Sequence, residues 1–127
     1  MIKKGCYLKV IDNSGAKIVY CIRIMSNSNK RYAFIGDLLL VSVKSLRLKR
    51  RFASKVKTGA LLRALIVRSK ISKFYFFGDN LKFFENSVVL LNKQNKLVGT
   101  RIFGVLPNNL RYTSFMRLLS VCAGTRD

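Results

Sequence analysis

The sequence predicts a mainly β protein, a small barrel built of short strands with little helix. Three observations predict it. Apolar and polar residues alternate over short stretches, as in Tyr7 to Ile11 and Lys17 to Met25. Turn signals separate those stretches: Asp12-Asn13-Ser14-Gly15, Gly36-Asp37, Thr58-Gly59, Gly78-Asp79-Asn80 and Asn92-Lys93-Gln94-Asn95. No strand–helix alternation runs along the chain, which argues against a parallel α/β sheet.

The 127 residues, 50% of them hydrophobic, suit one domain with a real core. A barrel is expected over residues 1 to about 106, short helices over about 107–121 and a tail over 122–127. In order, Tyr7 to Ile11 reads as a strand and Asp12 to Gly15 as a turn. Lys17 to Met25 is a half-buried strand, with Ile18, Tyr20, Ile22 and Ile24 on one face and Val19, Cys21 and Arg23 on the other. Ser26 to Arg31 is a polar, basic loop, and Leu38 to Lys44 a third strand. Ala60 to Arg68 is apolar almost throughout, as a central strand would be. Val88 to Leu91 and Leu97 to Phe103 are two short strands, the second around Gly99. Pro107 suits the first turn of a short helix, and Thr113 can cap a second that places Phe115, Leu118 and Leu119 on one face.

Charge is the strongest functional signal. There are 25 Lys plus Arg against 5 Asp plus Glu, a formal net charge of +20. Half of Lys44 to Lys57 is basic (Lys44, Arg47, Lys49, Arg50, Arg51, Lys55 and Lys57), with Leu46, Leu48, Phe52 and Val56 between. Like charges this close repel one another, and a polyanion offsets that cost. The segment reads as an extended hairpin arm or long loop presented to RNA. No run approaches the roughly 18 apolar residues of a membrane span, so no membrane role is expected. The first residues have too short an apolar core for a secretory signal, and no Arg/Ser-rich leader precedes the first strand.

A catalytic or metal site is not expected. The chain has no His, the commonest general base, and its cysteines Cys6, Cys21 and Cys122 form no CxxC pair. They read as reduced thiols packed like small core residues. The acids Asp12, Asp37 and Asp79 fall in turns, where carboxylates organise backbone. Gly99 to Gly104 lacks the lysine and Ser/Thr of a phosphate-binding loop and reads as a tight strand-end turn. The run Phe74, Tyr75, Phe76 and Phe77 could stack bases, but such runs are more often core or protein contacts, and that reading is preferred. Two other functions fit the composition: a free single-stranded RNA-binding barrel and, more distantly, a metal-dependent nuclease.

The chain resembles bacterial-type large-subunit ribosomal protein fourteen. The matching stretches are DNSGA (Asp12 to Ala16), CIRI (Cys21 to Ile24), KRYAFIGD (Lys30 to Asp37), IVRSK (Ile66 to Lys70), ENSVVLLN (Glu85 to Asn92), GTRIFGVL (Gly99 to Leu106) and NLRYTSFMRLLS (Asn109 to Ser120). They follow in order along nearly the whole chain. The resemblance implies a five-stranded antiparallel β barrel with short C-terminal helices, and a structural role in the large ribosomal subunit through its rRNA. It implies large-subunit proteins three and nineteen as neighbours, small-subunit rRNA at an intersubunit bridge, and a ribosome silencing factor on the C-terminal face. Where the family has a basic, Gly-rich loop after Lys70, this chain has Phe74 to Phe77, which points to a protein neighbour. The richness in Lys, Asn, Phe, Ile and Tyr points to an AT-rich, organellar source. A mitochondrial ribosome is expected, with plastid and bacterial cytoplasm as alternatives.

The expected rRNA contacts are Lys30, Arg31, Lys44, Arg47, Lys49, Arg50, Arg51, Lys55 and Lys57 on loops. Arg68, Lys70, Arg101, Arg111 and Arg117 form a second set, since some can pair with the few acids. Recognition should rest on phosphate and RNA shape, with no cofactor.

Overall fold

The computed structural model describes residues 2–25, 31–48, 54–70 and 85–106 with their side chains, and the backbone of 73–74, 80–81, 107 and 122–126. Eleven strands lie among them: β1 Ile2–Lys3, β2 Tyr7–Val10, β3 Ala16–Met25, β4 Tyr32–Ala33, β5 Leu38–Leu46, β6 Leu61–Arg68, β7 Lys73–Phe74, β8 Asn80–Leu81, β9 Ser87–Leu91, β10 Ile102–Pro107 and β11 Cys122–Arg126. Five close into a barrel in the order β2-β3-β5-β6-β9. The pairs β1–β4 and β7–β8 are small antiparallel ribbons, while β10 and β11 pair in parallel.

The barrel is mixed, not antiparallel throughout as expected. Four of its pairings are antiparallel, and the closing one, β2 with β9 (Lys9↔Ser87, Val10↔Val88), is parallel. Parity explains the difference: strands that alternate direction around a ring of five must meet one neighbour pointing the same way. Between β3 and β5 the register shifts three times. Such irregularities increase local twist and bend a sheet toward closure.

The barrel core is made of modest side chains: Leu8, Val10, Val19, Cys21, Val41, Val43, Ala64, Ile66, Val88 and Leu90. The interior of a small barrel is filled by such side chains. On β3 the core therefore takes Val19 and Cys21, while Ile18 and Tyr20 stay half-buried on the other face. There Tyr20 meets Tyr7 edge-on, with centroids 5.3 Å apart.

Strands β6 and β9 are buried on both faces. Leu65, Val67, Val89 and Leu91 point away from the barrel interior and pack with Ile11, Ile102 and Leu106 in a second cluster. That accounts for their near-continuous apolar runs. Each fully buried aliphatic contributes about 1.5–3 kcal/mol. The thiols of Cys6 and Cys21 are free. Burial pushes the Cys21 thiol up, and neighbouring Cys6 adds to the shift.

The strand expected over Leu97 to Phe103 starts later. Leu97 makes only an isolated bridge to Leu91, and the strand runs Ile102–Pro107. Asn13 is the reason: its Oδ1 accepts the Thr100 and Arg101 amides at 2.7 and 3.1 Å, withdrawing them from any ladder. Gly99 sits so close to this turn that a Cβ would lie 2.8 Å from Asn13 Oδ1. Pro107 is the last residue of β10, and the expected tail carries β11. The helix positions 108–121 lie outside the described residues.

Candidate RNA-binding surface

The Asp12–Gly15 turn organises one end of the barrel. Asp12 is buried; its Oδ1 accepts the Ser14 hydroxyl at 2.5 Å and the Ser14 amide at 3.1 Å, and its Oδ2 accepts the Leu90 amide at 3.1 Å. Burial pushes its carboxyl up, against the pull of these bonds and of the Arg47 charge. Asn13 Nδ2 also donates to Thr100 Oγ1 at 2.8 Å, so the DNSG turn and the GTR stretch are held together.

The basic segment is tied to this same turn at both ends. The Arg47 amide donates to Gly15 O and the Lys55 amide to Ser14 O, each at 2.8 Å. Both ends of the basic segment between β5 and β6 are thus anchored on one turn, and residues 49–53 between them lie outside the described residues. Val56, only 6% exposed, inserts into the core and fixes the returning chain.

The expected contacts divide. Lys44, Lys55, Lys57 and Lys70 are exposed, as is Arg31. The Lys44 ammonium lies 5.4 Å from the Tyr20 ring centre. Arg101 is exposed and stands 5.8 Å from the Phe103 ring centre. Arg47 is half-buried: its Nη2 donates to Val10 O at 2.8 Å, and its guanidinium carbon lies 5.8 Å from the centre of the same Phe103 ring.

Arg68 is engaged inside the protein. Its Nε donates to Val105 O at 2.9 Å, Nη2 to Phe103 O at 2.6 Å and Nη1 to Glu85 Oε1 at 2.6 Å. Gly104, at φ +83°, passes directly over this guanidinium, which a Cβ there would strike. Lys30, Lys49, Arg50, Arg51, Arg111 and Arg117 lie outside the described residues, as do Tyr75, Phe76 and Phe77; of Phe74 only the backbone, in β7, is described.

The described acids are all occupied. Asp12 holds the turn, and Asp37 Oδ2 accepts the Phe34 amide at 2.8 Å. Glu85 bridges Lys9 at 3.1 Å and Arg68 at 2.6 Å. Partial burial pushes the Glu85 carboxyl up, but Lys9 and Arg68 outweigh it and hold it below the usual range. Among the described residues, no group of His, Cys, Asp and Glu could hold a metal ion. Lys9 is matched by Glu85, whereas Lys44, Lys55, Lys57, Lys70 and Arg101 are exposed and bridge none of the described carboxylates.

Sequence reasoning missed Phe103 and Lys17, which border a cleft beside Arg47. The usable signal was the spacing of Arg101 and Phe103, two apart at one strand end and hence on one face.

Comparisons with known proteins span nearly the whole chain. The family profile described as ribosomal protein L14p/L23e matches residues 1–125. Over 121 residues the chain is 42% identical to the large ribosomal subunit protein uL14 of Carsonella ruddii (strain PV), covering 95% of this chain and 96% of that relative. By the extent of both matches, the chain belongs to the ribosomal protein L14p/L23e family.

Proposed function

We propose that the protein is a structural, non-catalytic constituent of the large ribosomal subunit that binds rRNA through its basic loop and the cations around it. One observation carries this reading. The basic segment springs from a rigid turn at both ends, while each described carboxylate is committed to the fold. A surface like that needs phosphate as its counter-charge. Its proposed contacts are Lys44, Lys55, Lys57, Arg31, Lys70 and Arg101, together with Lys30, Lys49, Arg50, Arg51, Arg111 and Arg117 of the same expected set. Arg47 and Arg68 act from behind, holding the backbone that carries the others.

The finer placement follows the family resemblance: proteins three and nineteen as neighbours, small-subunit rRNA at a bridge, and a silencing factor on the C-terminal face. The compositional bias favours a mitochondrial ribosome. Replacing Arg50 and Arg51 together with Gln tests the loop. Affinity for large-subunit rRNA should fall, and the slope of log K against log salt should flatten by about 0.7–0.9 per lost phosphate contact. An unchanged slope would remove the loop from the interface.

A further inference from the structure

The cleft beside Arg47 has a chemistry that phosphate contacts leave unused. It measures about 380 Å³ and is lined by Asn13, Lys17, Leu46, Arg47, Leu48 and Phe103. That lies in the range of about 300–1,000 Å³ typical of small-ligand sites. Two apolar side chains stand open beside it: Leu48 is 83% exposed and Phe103 40%. The guanidinium carbons of Arg47 and Arg101 each lie 5.8 Å from the Phe103 ring centre. Arg47 is fixed in place by its bond to Val10 O and by its own amide on Gly15 O. Phe103 is fixed by its amide on Ile11 O at 2.8 Å and by its carbonyl, which accepts from Arg68.

We propose that this cleft takes up one unpaired nucleobase of the bound rRNA, which stacks against Phe103 and Leu48 while Lys17 and Arg101 hold the flanking phosphates. The inference rests on the RNA-binding reading above and names what that surface recognises besides charge. Phosphate alone would gain nothing from the open faces of Leu48 and Phe103. An apolar protein side chain would cover those faces but leave Lys17, Arg47 and Arg101 buried without counter-charge, which is costly. A nucleotide brings a flat apolar face and its own anion. Aromatic rings and guanidinium planes are the usual stacking partners of unpaired RNA bases. Asn13 should add little base discrimination, because its Oδ1 accepts the Thr100 and Arg101 amides and its Nδ2 donates to Thr100 Oγ1.

The chain contains no tryptophan, so Phe103→Trp places a single fluorescent reporter in the cleft. The full-length variant is titrated with large-subunit rRNA, with a short single-stranded oligoadenylate and with heparin, a polyanion without bases. Filter retention follows binding in parallel. The rRNA and the oligoadenylate should quench the introduced indole by about half or more through stacking, while heparin binds without quenching. Phe103→Leu should lose roughly fivefold or more in oligoadenylate affinity at an unchanged salt slope, with heparin binding unaltered. Retention of rRNA without quenching, or equal quenching by heparin, overturns the proposal and leaves the RNA-binding reading intact. Indole emission already shifted to the blue and indifferent to RNA would mean that protein covers the cleft, and also overturns it. Failure of every polyanion to bind would instead bring down the RNA-binding reading itself.

Discussion

Arg68→Met separates a cation that holds the fold from one that holds RNA. Methionine keeps much of the apolar stem and removes only the guanidinium of a side chain that is 13% exposed. Three bonds go with it, to Val105 O, Phe103 O and Glu85 Oε1. A hydrogen bond involving a charged group is worth about 1.5–3 kcal/mol. Both carbonyls border solvent and the three bonds act as one unit, so about 1 kcal/mol each is the appropriate discount. The expected loss is about 3 kcal/mol, a large part of a typical stability of about 5–15 kcal/mol. For a chain of this length that lowers Tm by about 10 °C. The salt slope for rRNA binding, measured at a temperature where both proteins are folded, should not change, because no phosphate contact is lost. Lys57→Met, at an exposed position, should behave in the opposite way: Tm nearly unchanged and the slope reduced by about 0.7–0.9. If Arg68→Met left Tm in place and reduced the slope by one contact, the internal clamp would be refuted and Arg68 would belong to the RNA footprint.

Gly104→Ala should cost about 2–4 kcal/mol in urea unfolding, since the left-handed backbone costs roughly 1–2 and the new methyl must also displace the Arg68 guanidinium. Asp12→Ala leaves the buried Leu90 and Ser14 amides without their acceptor; about 3 kcal/mol should be lost, with faster amide exchange at Leu90 as the local readout. Glu85→Gln should lower stability by about 1 kcal/mol at neutral pH and change its pH dependence. The folded Glu85 carboxyl is held below its ordinary value of 4.5, so its contribution is present above that pH and lost as pH falls through the folded value. Asp12 works against it: its raised carboxyl favours folding below 3.8, and that advantage is lost as pH rises through its folded value. The Gln variant should therefore show a flatter acid limb below pH 4.5 in thermal melts, and an acid limb as steep as the parent's would show that Glu85 carries none of it.

The strands of the barrel were legible because each satisfies a local rule. Lys17 to Met25 alternates, and Ala60 to Arg68 is apolar on both faces because a second cluster covers its outer side. The late start of β10 was not legible, because the competitor for its amides is a side chain 87 residues away in sequence. Nor did alternation say which face of β3 turns inward: Ile18 and Tyr20 are the larger residues, but the barrel interior takes Val19 and Cys21. For the site, the charge excess was legible and its partition was not. Arg68 and Lys70 are two apart in one motif, yet one is enclosed by carbonyls and a carboxylate while the other stands in solvent.

That partition follows side-chain chemistry. Every lysine whose side chain is described is exposed, and every half-buried cation among the described residues is an arginine: Arg47, Arg63 and Arg68. A guanidinium carries five donors in a flat fork and is weakly hydrated, so it can cap carbonyls at the barrel surface without losing its charge. Arg47 does so on Val10 O, Arg68 on Phe103 and Val105, and Arg63 reaches the Asn95 side chain at 2.8 Å. An ammonium is compact and strongly hydrated, and gains little from leaving water. A formal charge of +20 therefore overstates the number of phosphates this face can neutralise. The arginines turned inward give the exposed cations a fixed frame, which lowers the ordering cost when RNA binds.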